Sequence, residues 1–242
     1  MDIRDIVEKV TKEVMARMGE NDCENKSGAD IAHTIEHSLL NPDMTKEQII
    51  KGCKEAKAGR MANVCVSPYY VPIAADYLRG SGIKVCTVAG FPHGASSTAA
   101  KVAEVKEAIK NGAEEIDVAM NILAIKSGEH KDALEDLSEV VDIARGRAAV
   151  KAIYEHGLYT DEEKVTALNI AKASGADYIK ISNALTAGKA TVEDVKFVRG
   201  IVGDDIGIKI DGGISDAAKV RALMAAGAQR FGCSKSVEIV NG

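Results

Sequence analysis

Short apolar runs rich in β-branched residues recur along the chain with helix-like stretches between them, and this alternation narrows the possible folds more than any other feature. The runs are 32–40 ("AHTIEHSLL"), 61–67 ("MANVCVS"), 83–91 ("IKVCTVAGF"), 114–122 ("EEIDVAMNI"), 148–157 ("AAVKAIYEHG"), 176–184 ("ADYIKISNA"), 206–213 ("IGIKIDGG") and 229–234 ("QRFGCS"). The stretches between them, such as "TKEQIIKGCKEAKAG" and "TDEEKVTALNIAKASG", have helical amphipathicity. Thr160 followed by Glu163 is the pattern of a capping box. Gly112, Gly175 and Gly227 stand where helices must end in a left-handed turn. Each is followed by Ala and then a strand, in "GAEEIDV", "GADYIKI" and "GAQRFGC", which is a weak internal repeat. Strands separated by helices pair in parallel through right-handed crossovers. Eight such units in about 210 residues predict a (β/α)8 barrel over 29–242; an open doubly wound sheet is the rival with the same pattern.

Residues 1–28 stand apart. Ile3, Ile6, Val7, Val10, Val14 and Met18 form one stripe of a predicted amphipathic helix over 1–18. Residues 19–28 are polar and rich in turn formers, so they read as a linker. The chain of 242 residues carries a net charge of -5, which argues against a broad nucleic-acid surface but leaves room for a local basic pocket. Five scattered cysteines without a CxxC pair suggest neither a disulfide framework nor a zinc site, and a reducing cytoplasmic location is the default expectation. No apolar run reaches the roughly 20 residues of a membrane span, and the N-terminus does not read as a secretory signal.

Period-two alternation decides which side chains face the axis of such a barrel. Tyr178, Lys180 and Ser182 share one face, as do Gly207, Lys209 and Asp211. By the same parity Asp117 goes with Asn121, Lys151 with Glu155, and Asn63 with Cys65 and Ser67. Ile179, Ile181, Ile208 and Ile210 take the opposite face, toward the helices. Lys151, Lys180, Lys209 and at least one carboxylate, Asp117, therefore converge on the axis.

A desolvated, unpaired charge costs several kcal/mol, and two readings account for such a cluster. In one, the charges form a structural ion-pair network. In the other, a partly desolvated lysine beside other cations has a lowered pKa, and its free amine attacks a carbonyl. The resulting iminium draws electrons from a neighbouring C–C bond, so the protein supplies its own electron sink and no cofactor is expected. His33, His37, His93, His130 and His156 show no converging ligand spacing, so a metal-dependent route is not indicated. His37 and His93 fall near strand ends, where structural or solvated roles are expected.

The ordered segments "IEHSLLNPDMT", "NVCVSPYYV", "KVCTVAGFPHGASST", "KEAIKNGAEEIDVAMNI", "GLYTDEEK", "GADYIKIS", "ATVEDVK" and "GIKIDGGI" resemble the deoxyribose-phosphate aldolases over residues 30–240. These are class I aldolases that interconvert 2-deoxyribose 5-phosphate with glyceraldehyde 3-phosphate and acetaldehyde. The resemblance implies that Lys180 forms the Schiff base, that Lys209 lowers its pKa and that Asp117 relays protons. It also places Cys65 near the substrate, although a small buried apolar role fits that residue equally well. Gly212, Gly213, Ser234 and Lys235 fall at the phosphate end, with Asn183 close to the reactive lysine. A homo-oligomer is a further implication. Residues 1–18 with their linker resemble the encapsulation peptides of bacterial microcompartments, which makes a shell protein a candidate partner. Packing of that helix on its own barrel or in an oligomer is the alternative.

The chain also departs from the family. It reads "KISNAL" where "KTSTGF" is usual, placing Ile181, Asn183, Ala184 and Leu185 after the lysine. Asp211 replaces a small residue, Glu36 an aspartate, Ser38 a threonine, and "GCSKS" stands for "GTSSG". Asp211 would set an anion near a phosphate dianion. A related lysine aldolase with another substrate, and an inactive scaffolding barrel, therefore stay open beside the leading reading.

Overall fold

In most runs the alternation turns aliphatic side chains toward the helices, and all eight runs are strands in the computed structural model, which describes residues 30–186 and 188–242. The strands are β1 (Ile35–Leu39), β2 (Asn63–Val66), β3 (Lys84–Ala89), β4 (Glu115–Ala119), β5 (Ala149–Glu155), β6 (Tyr178–Ser182), β7 (Gly207–Asp211) and β8 (Arg230–Cys233). The helices are α1 (Lys46–Gly59), α2 (Val71–Leu78), α3 (Thr98–Lys110), α4 (Ile122–Lys126), α5 (His130–Ala144), α6 (Asp161–Ala173), α7 (Val192–Val202), α8 (Ala217–Ala225) and α9 (Ser236–Asn241). All strand pairs are parallel, and β1 pairs with β8, Ile35 opposite Phe231. That pairing closes the barrel and excludes the open sheet. The helix over 1–18 and the linker over 19–28 expected from the sequence lie outside the described residues. Among the described residues no helix is long and apolar enough to cross a membrane.

Ile179, Ile181, Ile208, Ile210 and Phe231 are fully buried in the layer between strands and helices. Burying one such side chain stabilises the fold by about 1.5–3 kcal/mol relative to leaving it exposed. The predicted capping box is present: Thr160 accepts from the Glu163 amide while Glu163 accepts from the Thr160 amide. Thr45 with Gln48 and Thr191 with Asp194 start α1 and α7 in the same way. Gly112, Gly175 and Gly227 have φ of 104°, 79° and 112°, the left-handed conformation their place after a helix demands.

Two expectations of parity fail at strand ends. β4 stops at Ala119, and Asn121 turns out of the sheet to accept a hydrogen bond from the Ala124 amide at the start of α4. Ser67 similarly leaves β2 and precedes a short 3-10 turn. His37 faces outward, sharing a 2.5 Å hydrogen bond with the buried Ser236 hydroxyl, which ties α9 to β1. Burial lowers its pKa, with Glu55 opposing.

Candidate active site

The inner faces of the strands carry a connected set of charges. Asp117 is 0% exposed on β4, and its carboxylate meets three lysines. Its Oδ2 lies 2.9 Å from Lys180 Nζ on β6 and 2.6 Å from Lys209 Nζ on β7; its Oδ1 lies 3.0 Å from Lys151 Nζ on β5. Register explains the convergence, because Asp117 is opposite Lys151, and Lys180 is opposite Lys209. Glu36 on β1 pairs with Lys209, and Glu115 on β4 lies 2.7 Å from Lys151 Nζ. Arg230 on β8 reaches Glu115 at 3.3 Å and Asn63 donates to the same carboxylate at 2.7 Å. Asp211 on β7 lies 2.5 Å from Lys180 Nζ.

The strand that carries Asp117 is anchored from behind by a buried pair that parity could not anticipate. Lys101 of α3 donates to the Ala119 carbonyl at 3.0 Å and to Asp136 of α5 at 2.7 Å. Thr98 donates to the same aspartate at 2.9 Å. Two helices are thereby pinned to the C-terminal end of β4.

The two readings of the charge cluster are therefore not exclusive: the interior is an ion-pair network, and the candidate nucleophile is part of it. Sequence reasoning picked out Lys151, Lys180, Lys209 and Asp117 but missed Glu36, Glu115 and Arg230 as members. The signal was available, since Glu115 precedes Asp117 by two positions and Glu36 lies on the inner face of β1. These acids change the electrostatics. Burial alone would raise the Asp117 carboxyl, but Lys151, Lys180 and Lys209 hold it well below the usual carboxylate range. Glu115 is likewise brought down to about 2 against burial, chiefly by Lys151 and Arg230.

Lys180 differs from the sequence expectation. Burial is the largest influence and pulls its pKa down, and Lys209 acts in the same sense. Asp117 and Asp211 outweigh both, so the amine stands above its ordinary value. The ammonium is thus the resting form and must lose a proton before it can attack. Its close contacts are ion pairs without hydrogen-bond alignment, and the Phe91 ring centroid lies 5.9 Å away.

Cys65 is buried in a small cluster with Cys86 and Val88, against which Leu40 and Phe91 pack. Cys65, Cys86 and Asp117 are close enough to suggest a metal site, as are Glu36, Cys86 and Glu115. The place of a cation is already taken there: Lys151 Nζ is 3.3 Å from Cys86 Sγ and in contact with Asp117 and Glu115. Burial pushes the Cys86 thiol up, which further disfavours a thiolate ligand.

The predicted phosphate residues lie at the C-terminal rim, the face on which barrels carry their active sites. Asn183 follows β6, Gly212 and Gly213 follow β7, and Ser234 and Lys235 form the exposed turn after β8. Gly212 and Gly213 have φ of 89° and 73°. A Cβ on Gly213 would stand 2.8 Å from the Lys189 side chain, so the tight approach requires glycine. Glu155 on β5 shapes the neighbouring loop by accepting from the amides of Ala184 and Leu185. The Nδ2 of Asn183 has no hydrogen-bond partner among the described residues. Asp211 ends β7 on the inner face, as parity expected, and its carboxylate pairs with Lys180 instead of lining the phosphate rim. The α8 N-terminus is capped by its own Asp216, which accepts from the Lys219 amide at 2.8 Å.

Comparison with known proteins is consistent with this arrangement. Residues 30–235 match the family described as DeoC/LacD family aldolase. A deoxyribose-phosphate aldolase of Shouchella clausii (strain KSM-K16) is 47% identical over 214 residues, 88% of this chain and 96% of that relative. Among solved structures, "QR15, an Aldolase" superposes with a TM-score of 0.83 at 32% identity, covering 87% of this chain and 94% of that one. A tetrameric deoxyribose phosphate aldolase from Aeropyrum pernix gives a TM-score of 0.81 at 26% identity, covering 88% and 91%. With a family match over most of its length and close relatives of nearly the same extent, the chain belongs to the DeoC/LacD family of aldolases.

Proposed function

We propose that the protein is a Schiff-base aldolase that cleaves and forms 2-deoxyribose 5-phosphate. The observation that carries the reading is a buried lysine, Lys180, held between two carboxylates on the inner face of the barrel, in a chain whose relatives are named deoxyribose-phosphate aldolase. In the cleavage direction, the Lys180 amine adds to the C1 aldehyde of the open-chain sugar and water leaves, giving an iminium. The C2–C3 bond then breaks with its electron pair drawn toward the iminium nitrogen, while the C3 hydroxyl loses its proton and becomes the aldehyde of glyceraldehyde 3-phosphate. The remaining enamine is protonated at C2 and hydrolysed to acetaldehyde and free Lys180. Lys209 pulls the pKa of this nitrogen down, and Asp117, touching both lysines, relays protons between them as the iminium forms and decays. Gly212, Gly213, Ser234 and Lys235 are assigned to the phosphate, and Asn183 and Cys65 to the walls of the substrate space.

Borohydride reduction in the presence of acetaldehyde should leave a stable adduct on a peptide containing Lys180, read by mass spectrometry. The same preparation should turn over deoxyribose 5-phosphate much faster than free deoxyribose. Turnover with no lysine adduct would sink the mechanism. Equal turnover of both sugars would favour an aldolase with a non-phosphorylated substrate, which the departures at Ile181, Asn183, Ala184, Leu185, Asp211 and Lys235 make the second reading. An inactive scaffold is disfavoured because Lys180, Lys209 and Asp117 are all retained.

The tetrameric relative supports a homo-oligomer. The apolar stripe and polar linker of residues 1–28 support delivery to a microcompartment shell. Deleting residues 1–18 should then leave aldolase kinetics and melting temperature unchanged while abolishing co-purification with shell proteins. A melting temperature lowered by several degrees would make the segment part of the fold and end the delivery reading.

A further inference from the structure

We propose that Asp211 is the acid–base partner of Lys180: it takes the ammonium proton that must leave before the amine can attack, and returns it to the oxygen of the carbinolamine. The inference rests on the Schiff-base reading and adds a catalytic residue to it. Two carboxylates touch the Lys180 nitrogen, and their surroundings differ. Asp117 is fully buried and shared by Lys151, Lys180 and Lys209. Protonating it would leave the other two buried ammoniums facing a neutral acid, a costly state. Asp211 lies 2.5 Å from Lys180 and ion-pairs with no other cation among the described residues, so its neutralisation strands nothing else. Its side chain is 22% exposed, against 0% for Asp117, so it alone of the pair meets both the nitrogen and solvent.

The neighbouring strand leaves room for this carboxylate. Gly232 of β8 occupies the position opposite Asp211, and a Cβ there would stand 2.7 Å from Asp211 Oδ1 and 3.2 Å from the Lys209 side chain. The charged and titratable groups around the pair are Cys65 from β2, Asp117 from β4, Lys180 from β6, Lys209 on β7 itself and Cys233 from β8. The step balances. The Lys180 ammonium and Asp211 carboxylate become amine and carboxylic acid; the amine nitrogen bonds to the carbonyl carbon as the C=O π pair moves to oxygen. That oxygen receives the proton from Asp211. A second transfer, from nitrogen through the same carboxyl to the hydroxyl, lets water leave and the iminium form.

The test is the rate of borohydride-trappable adduct formation with acetaldehyde, measured from pH 6 to 9 (a range about the usual window for such groups), for wild type, Asp211→Asn, Asp211→Glu and Gly232→Ala. Asp211→Asn should slow adduct formation by about 10²-fold across the range, the usual worth of a positioned acid–base group. Asp211→Glu should recover part of the loss. Gly232→Ala keeps the carboxylate but displaces it, so it should be slowed in the same sense even if the asparagine variant fails to fold. If Asp211→Asn forms adduct at the wild-type rate, or faster with its acid limb moved to lower pH, Asp211 is only a counterion and the inference is overturned. A wild-type rate in Gly232→Ala would overturn it as well. Absence of adduct in the wild type would remove the Schiff-base reading itself, a result distinct from an unchanged variant beside a reactive wild type.

Discussion

Lys180→Ala is expected to lose all measurable aldol turnover, a fall of at least about 10³-fold, as removal of a covalent nucleophile usually brings. The loss should be complete because the neighbours cannot replace it. Lys209 is opposite Lys180 in the sheet, but its ammonium is bound by Asp117 and Glu36 and stands well above its ordinary pKa, these anions outweighing the downward pull of burial. Lys151 is held the same way, burial being overcome by Asp117, Glu36 and Glu115. Among the described residues neither has a partly exposed carboxylate that touches it alone, as Asp211 does for Lys180. Lys180→Arg should be equally inactive, since a guanidinium stays protonated and cannot form an imine. The check is steady-state cleavage of deoxyribose 5-phosphate together with adduct trapping. Retention of more than a few per cent of activity would reassign the nucleophile.

Asp117→Asn is expected to destabilise the barrel by about 3–5 kcal/mol, the cost of breaking a buried ion pair from one side. Three ammonium groups lean on this one carboxylate, and none of them has solvent to turn to. The pH dependence gives the change a signature. The folded-state pKa of Asp117 lies below its unfolded value, so its contribution is fully present above about pH 4, the unfolded carboxylate range, and is lost as pH falls through the lower folded value. The stability gap between wild type and variant, measured by urea unfolding, should therefore narrow as pH drops below about 4. A gap that stays constant down to pH about 3 would show that shape, not charge, makes the position matter.

Much of this architecture was legible because two periodicities run through the chain without interruption. Period two in "DYIKIS" and "GIKID" put Lys180 and Lys209 on the axis and their isoleucines under the helices, as the structure has them. What was harder to read has a common physical origin. Asn121 keeps the parity of Asp117, but parity ends where the strand does, and an Asn beside a helix start is better used as a cap. The state of Lys180 could not be read from its own strand, because it depends on acids contributed by other strands, and their number decides whether neighbouring cations or anions prevail. Asp211 looked like a neighbour of the phosphate from its place before two glycines. Parity had set it on the inner face with Lys209, and the structure shows its carboxylate, given room by Gly232 on the next strand, against Lys180.

The charge-lined axis also bears on how the molecule responds to heat. A barrel packed with aliphatic layers exposes apolar surface on unfolding, which raises the heat capacity and curves the stability profile steeply. Here much of the axis is ammonium, guanidinium and carboxylate, whose exposure lowers the heat capacity instead. Hydration of such groups becomes less favourable with rising temperature, so the penalty for keeping them dry shrinks as the solution warms. The apolar shell beneath the helices and the ionic axis therefore have opposite thermal tendencies, and together they flatten the temperature dependence around the reactive nitrogen.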